Sequence, residues 1–486
     1  FFPTHPAISE GSAEITYAKL NDQASRLATS LIDMGVRPGD HIGLCAPNSA
    51  EWIAFYFGVL KAGAVAVTFS SQLTGQELSH LLNHSVPKIM YTTPERLEDL
   101  EGFKGGGGLE KTVCADGDLD FKNLMSKGTG NFKAVDRDRT DTGVILYTGG
   151  TTGIPKGVML THENVNAAIQ NIVFLERSTE KERALCFLPF NHVFGQMHIL
   201  NATILSGGCL EMIPTFDLDQ LLGLMSAGRV TKLFAVPTIY VRILSLDGLK
   251  EKLGSVRYCF SGAATLAAEV VRQWKDRSGL AIHEGYGMTE AAPLVAYNHY
   301  HRHVVGSVGT PAPGVEVKIR DREGRDVNQG EEGEICVRAR NIMKGYLENP
   351  EATRNAFWEG GWFRTGDIGL FDKYGYLYII DRLKDMIISG GENVYPREVE
   401  EMLFTSPDVE ECAVIGIPDT EWGEVVTAVI VPKEGRQIDQ QALKAYLKSN
   451  LSPFKVPKKY ITVDELPKSP AGKILKRELK KQLLSP

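Results

Sequence analysis

The clearest chemistry in the chain lies in a stretch of small residues with a single lysine. TGGTTGIPKG occupies residues 148–157 and follows an apolar β run, Val144–Tyr147. Gly149, Gly150 and Gly153 let backbone N–H groups come close to phosphate oxygens. Thr148, Thr151 and Thr152 add hydroxyl donors and Lys156 adds a cation. The spacing is not that of a Walker loop, GxxxxGK[ST], because Lys156 stands between Pro155 and Gly157. Taken alone, these residues fit either a phosphate cradle or a plain Gly-rich turn.

The loop resembles the signature of the adenylate-forming superfamily, which contains acyl-CoA synthetases, firefly luciferase and the adenylation domains of peptide synthetases. Gly149 stands where that family more often has Ser, which removes one hydroxyl and keeps the backbone cradle. Other motifs of the family follow in its order. EGYGMTE at 284–290 is similar to the second motif. There the resemblance implies that Gly285, Tyr286 and Gly287 lie against adenine, that Thr289 bonds a phosphate, and that Glu290 holds Mg²⁺ against the triphosphate, a hard oxygen ligand for a hard ion. TGD at 365–367 implies that Asp367 accepts from the ribose hydroxyls, and DRLKD at 381–385 implies Arg382 as a ribose or phosphate contact and Lys384 as a hinge. SGGENVYP at 389–396 resembles the loop brought up for thioester formation, where Ser389, Gly390 and Gly391 leave room for a pantetheine arm. LPKSPAGK at 466–473 resembles the C-terminal catalytic motif and implies Lys473 as the lysine that offsets the repulsion between carboxylate and phosphate.

LPFNHVFG at 188–195 resembles the segment where the family sets a histidine and an aromatic beside the acyl group. It implies His192, Phe194 and Gly195 on one wall of the acid site, with Val236, Gly262, Ala263 and Ala264 opposite. These are mostly small and apolar, which favours an acid without a charged tail. LFAVPTIYVRIL at 233–244 contains no acidic residue, which counts against an amino-acid substrate. A medium- or long-chain fatty acid is the first expectation and an aryl acid the second. Phe454, Lys455 and Lys458 match positions near the nucleotide end of CoA in some relatives, whereas Val456 stands where others carry a cation.

These residues need a scaffold, and the pattern supplies an α/β one. A mostly helical 14–34, strand His41–Cys45, helix Glu51–Lys61 and strand Ala64–Phe69 begin an alternation that runs to about residue 295. Short β runs at Val315–Ile319, Gly333–Arg338 and Tyr376–Ile380 indicate a β-rich part over 305–381. After 381–385 come a helix from Pro396, strands Ala413–Gly416 and Val425–Pro432, and a helix Gln440–Leu451, enough for a small α+β domain. The expected organisation is therefore a large N-terminal α/β domain, 1–381, a hinge, 381–385, and a mobile C-terminal domain, 386–486. Gly105–Gly108 is expected to be a mobile surface loop, and His299–His303 a surface strand rather than a metal site.

The bulk numbers agree. The chain has 486 residues, 43% hydrophobic and 23% charged, with a net charge of −7 that excludes nucleic acid as the main partner. Residues 431–486 hold 13 basic and 5 acidic side chains, a +8 tail suited to a polyanion on a body of −15. Seven dispersed cysteines fit reduced thiols in the cytoplasm. No apolar run is long enough to span a membrane, and no amphipathic anchor forces a weak surface association. A homodimer is left open. The resemblance implies an acid–CoA ligase that uses ATP, Mg²⁺, CoA and a small-molecule carboxylic acid. The alternatives are transfer to a carrier protein, a luciferase-like oxidase, or a non-catalytic nucleotide-binding homologue.

Overall fold

A computed structural model describes residues 2–104, 108–148, 155–264, 266–469 and 474–484. The Gly run expected to be a mobile loop therefore lies largely outside the described residues. Two mainly parallel sheets form the body. The nine-stranded sheet takes its parallel centre from Ile282–Tyr286, Tyr258–Ser261, Lys232–Ala235, Arg183–Cys186, Cys209–Met212 and Pro6–Glu10. The seven-stranded sheet has Val65–Thr68 at its middle, flanked by His41–Cys45 and Thr142–Thr148. Every residue of Val65–Thr68 is buried, as expected for a parallel strand covered on both faces.

Helices cover these faces by their periodicity. Tyr17–Asp33 buries Leu20, Ala24, Leu27, Ala28 and Leu31 on one stripe and is capped by the Thr16 side chain, which accepts from the Lys19 N–H. The cap explains a difference from the sequence reading: residues 13–16 form a strand that pairs with Pro6–Glu10, and the helix starts only after Thr16.

A third, antiparallel sheet joins Val315–Arg320, Gly333–Ala339, Trp362–Phe371 and Leu377–Arg382. One continuous buried cluster reaches from Leu27 and Trp52 through Phe234 and Trp274 to Ile335 and Leu377, so the three sheets share a core. The histidine segment is not a strand. Residues 300–302 are bends that follow the short strand Ala296–Tyr297, and the flanking histidines have separate partners: His299 Nε2 meets Thr310 Oγ1 at 2.6 Å and His303 Nε2 meets the Ile282 carbonyl at 2.8 Å.

The C-terminal body has its own sheet, with Gly423–Pro432 at its centre, Val409–Asp419 antiparallel on one side of it and Lys459–Thr462 parallel on the other. Alternation along Val409–Asp419 covers both faces. Cys412 and Val414 pack with Val399, Leu403 and Leu447, whereas Ala413, Ile415 and Ile417 pack with Leu466 and Leu479. Leu479 belongs to a tail helix, Lys476–Leu484, which the sequence reading did not anticipate; its dense lysines masked the apolar stripe.

One buried side chain fixes the loop on which EGYGMTE ends. Asn341 Nδ2 donates to the carbonyls of Ala291 and Leu294, both at 2.6 Å, and the Met343 N–H donates to the Glu290 carbonyl at 2.8 Å. Asn341→Ala orphans two buried carbonyls and should lower unfolding stability by about 1–3 kcal/mol in urea titration.

Candidate active site

The strands on either side of the phosphate-loop sequence form an antiparallel pair in which Thr148 lies opposite Lys156. Gly149, Gly150, Thr151, Thr152 and Gly153 lie outside the described residues. Lys156 Nζ sits 4.6 Å above the ring of Tyr346, and the Tyr346 hydroxyl donates to Glu290 Oε1 at 2.9 Å. Cation, ring and carboxylate thus form a row. Tyr346 reaches it because Gly345–Tyr346 pairs antiparallel with Lys156–Thr161. Burial holds the Glu290 carboxyl above its ordinary value, while the Tyr346 hydroxyl, Lys156 and Arg382 pull the other way. Thr289, next to it, is buried.

A second group stands on the neighbouring strands. Tyr286 ends the strand Ile282–Tyr286, and its hydroxyl donates to Asp367 Oδ2 at 2.6 Å. Arg382 Nε lies 3.6 Å from Asp367 Oδ1, placed there because Asp367 and Arg382 face each other in the ladder. Burial, then the Asp367 charge, pushes the Tyr286 hydroxyl far above its ordinary range, so the phenol stays protonated and donating. The strand segment bearing Asp367 is held by its neighbours. Thr365 Oγ1 donates to the Ile335 carbonyl at 2.8 Å and accepts the Asp367 N–H at 3.1 Å, and Glu334 accepts the Gly366 N–H at 3.2 Å. Gly285 lies on the strand and Gly287 just past its end.

On the acid side, His192 is partly buried and its Nδ1 accepts the Phe194 N–H at 3.2 Å. Phe194 and Gly195 open a wide π-type helical stretch, Phe194–Asn201, that alternation alone does not reveal. The Phe194 ring meets Phe260 edge-on at 5.7 Å. Gly262 is buried against both rings, Val236 is buried just before the helix Pro237–Leu244, and Ala263 and Ala264 are exposed.

In the C-terminal body Gly390 and Gly391 make the tight turn between Ile387–Ser389 and Glu392–Val394, with φ of +62° and +86°. The Gly390 N–H donates to the Trp422 carbonyl at 2.9 Å, and Lys458 lies over the Trp422 ring. Trp422 therefore joins the expected CoA residues to one another. Ser389 is buried and Lys384 exposed in its turn. Lys455 is engaged by Glu398 at 2.7 Å, and Val456 is buried in the small body's core, which explains the lack of a cation there. Lys473 lies outside the described residues. Among the described residues no group of three or more His, Cys, Asp or Glu could hold a metal, so Glu290 offers a single carboxylate. An open groove of about 940 Å³, lined by Phe174, Arg177, Ser178, Tyr300 and Tyr374, contains none of these residues.

Residues 2–347 match the AMP-binding enzyme family and residues 398–473 match the AMP-binding enzyme C-terminal domain; the chain belongs to this family of enzymes. It is 38% identical over 490 residues to a feruloyl-CoA synthase of Amycolatopsis sp, spanning 99% of this chain and 96% of the relative. It is 34% identical over 514 residues to a long-chain-fatty-acid–CoA ligase of Bacillus subtilis (strain 168), spanning 98% and 92%. The crystal structure of ATP-bound MatB from Rhodopseudomonas palustris superposes with a TM-score of 0.94 at 36% identity, spanning 99% and 96%. No helix among the described residues is long and apolar enough to cross a membrane.

Glu284, the residue before Gly285, was not singled out by the motif. Its Oε2 is buried without a hydrogen-bond partner among the described residues. Burial, outweighing nearby Arg397, pushes its carboxyl up to about 8. A carboxyl raised in the native state keeps a proton that the unfolded chain releases. Stability should therefore fall as pH rises from 4.5, the unfolded value, through about 8. Glu284→Gln mimics the protonated form. Its stability relative to the parent should rise across that window by up to about 1.4 kcal/mol per pH unit, measured by urea unfolding at a series of pH values.

Proposed function

We propose that this chain is an ATP-dependent acid–CoA ligase: it adenylates a carboxylic acid with release of pyrophosphate, then transfers the acyl group to CoA with release of AMP. The observation that carries this reading is the pair of linked groups, Lys156–Tyr346–Glu290 and Tyr286–Asp367–Arg382, brought together by residues 286–290. Cations and hydroxyls suited to a triphosphate stand next to a carboxylate suited to a ribose. The names of the relatives, a feruloyl-CoA synthase and a fatty-acid–CoA ligase, support CoA as acceptor.

In the first step the acid's carboxylate attacks the α-phosphorus in line and pyrophosphate leaves. Thr148 and Lys156 hold the outer phosphates, and Lys473 sits between the two anions as charge moves onto the bridging oxygens. Mg²⁺ fits a site with one protein carboxylate, Glu290, and its remaining ligands drawn from phosphate and water; it would neutralise phosphate charge. Asp367 and Arg382 orient the ribose, and Tyr286 lies along the base. Gly262, backed by the Phe194 ring, lines the acid site, and His192 stands beside the acid.

In the second step the small domain, 386–486, turns about Lys384 within the 381–385 hinge. Lys473 withdraws, and the Gly390–Gly391 turn gives the pantetheine arm a path with no side chains in it. The CoA thiol loses its proton and attacks the mixed anhydride, and AMP leaves. Trp422 and Lys458 form the polar, aromatic rim of that path. A homodimer in the cytoplasm is compatible with this reading and is not needed by it.

Pyrophosphate release from ATP, measured across acids from acetate through palmitate to benzoate with and without CoA, tests the reading. Release that turns over only with CoA supports it, release independent of CoA points to another acceptor, and no release with any acid refutes it. Lys473→Ala should cut adenylation on the order of 100-fold while leaving transfer from preformed acyl-adenylate to CoA. Lys384→Pro should do the opposite, sparing adenylation and blocking thioester formation; equal rates for both steps would remove the hinge.

A further inference from the structure

Behind the acid wall the core is charged rather than apolar. A Cβ on Gly262 would stand 3.2 Å from the Phe260 ring and 3.4 Å from the Phe194 ring, so these rings lie directly behind that wall. Behind them His198, 3% exposed, lies tilted against Phe260 at 4.4 Å and meets Phe194 edge-on at 5.2 Å. His198 Nε2 reaches Glu176 Oε1 at 2.6 Å, and Glu176 Oε2 reaches Lys232 Nζ at 2.8 Å. Tyr297 donates to Glu176 at 3.3 Å, and Lys232 donates to Ser178 at 2.6 Å. Ser178 lines the open groove. Phe194, Phe260, His198, Glu176 and Lys232, which link Gly262 to Ser178 by contacts, are all buried.

An alkyl tail longer than the space in front of Phe194 would have to enter this row of side chains. An apolar plug could repack around such a tail. The buried Glu176–Lys232 ion pair, with His198 bonded to it, cannot, because moving one member leaves a partner's charge buried without compensation. Burial raises the Glu176 carboxyl's proton affinity, but Lys232 and His198 more than offset it and keep the group ionised. The ring edges and faces of Phe194 and Phe260 are well suited to meet another ring.

We propose that the Glu176–His198–Lys232 triad is the floor of the acid pocket, that it sets the pocket's depth, and that it restricts the substrate to compact, ring-bearing acids at the expense of long alkyl chains. This rests on the ligase reading. It favours the aryl alternative over the fatty acid expected first from sequence.

The test compares kcat/KM for acyl-CoA formation with benzoate, cinnamate, octanoate and palmitate in the parent, His198→Ala and His198→Gln. The parent should use the ring acids far better than palmitate. His198→Ala keeps the Glu176–Lys232 pair and opens room behind Phe194, so it should raise the palmitate-to-cinnamate ratio about tenfold or more. His198→Gln preserves bulk and a hydrogen bond to Glu176 and should keep the parental ratio. A parent that uses palmitate as well as cinnamate overturns the floor. So does a folded His198→Ala enzyme with an unchanged ratio, or a His198→Gln ratio that shifts as far as that of His198→Ala. If His198→Ala does not fold, the parent's own series decides: a sharp drop beyond ring-sized acids supports the floor and a plateau to palmitate overturns it. Failure of the ligase reading looks different, because no acid then releases pyrophosphate.

Discussion

A phenol hydrogen-bonded to a carboxylate, Tyr286 on Asp367, ties the edge of a largely parallel sheet to an antiparallel sheet with which it shares no strand. Glu290, four residues beyond Tyr286, makes the corresponding tie to the seven-stranded sheet through Tyr346. Residues 286–290 are thus the point where three sheets meet, and the polar groups that could hold a nucleotide are the same ones that hold the sheets together. Buried polar groups need partners. Placing them at a junction gives them those partners from different layers, and so fixes where each points before any ligand arrives.

The local parts of this arrangement were legible in the sequence. The TGD residues and the Gly390–Gly391 pair were recognised as motifs, but the strand Trp362–Phe371 that contains the first and the short strands Ile387–Ser389 and Glu392–Val394 that flank the second were not among the β runs read from the sequence. Tyr346, Glu334 and Trp422 were not legible. Each acts on a partner brought in by strand pairing, and nothing in KGY at 344–346 or in the residues beside Trp422 marks them chemically. The same holds for Glu176, His198 and Lys232, which lie on three separate elements and meet only once the strands and the π-type stretch are in place. His192 was found because it stands in a recognisable segment, whereas His198, six residues on, had no such context. The histidine cluster at 299–303 misled in the opposite way: spacing suggested a strand, while each ring is turned to a separate backbone or hydroxyl partner.

The contact between the two bodies is also polar. Asp381 accepts the Arg397 N–H at 2.9 Å and so caps the first turn of the helix Pro396–Phe404, while the Arg397 guanidinium donates to the Ile379 carbonyl. Such contacts are strong when aligned and cost little apolar area when broken. A seam of this kind suits surfaces that separate and rejoin, since neither side exposes an oily face when open.

The small body covers both faces of its sheet with its own side chains, from Val399 and Leu447 on one side to Leu466 and Leu479 on the other. Its integrity therefore does not depend on being docked. Cutting the chain in the turn that holds Lys384, which is exposed beside the half-exposed Leu383, would leave two pieces that each retain a closed interior. The backbone link between them acts as a tether. If the small body turns as proposed, this link keeps it at high local concentration near the large one, so that meeting again is an intramolecular event rather than a search through solution.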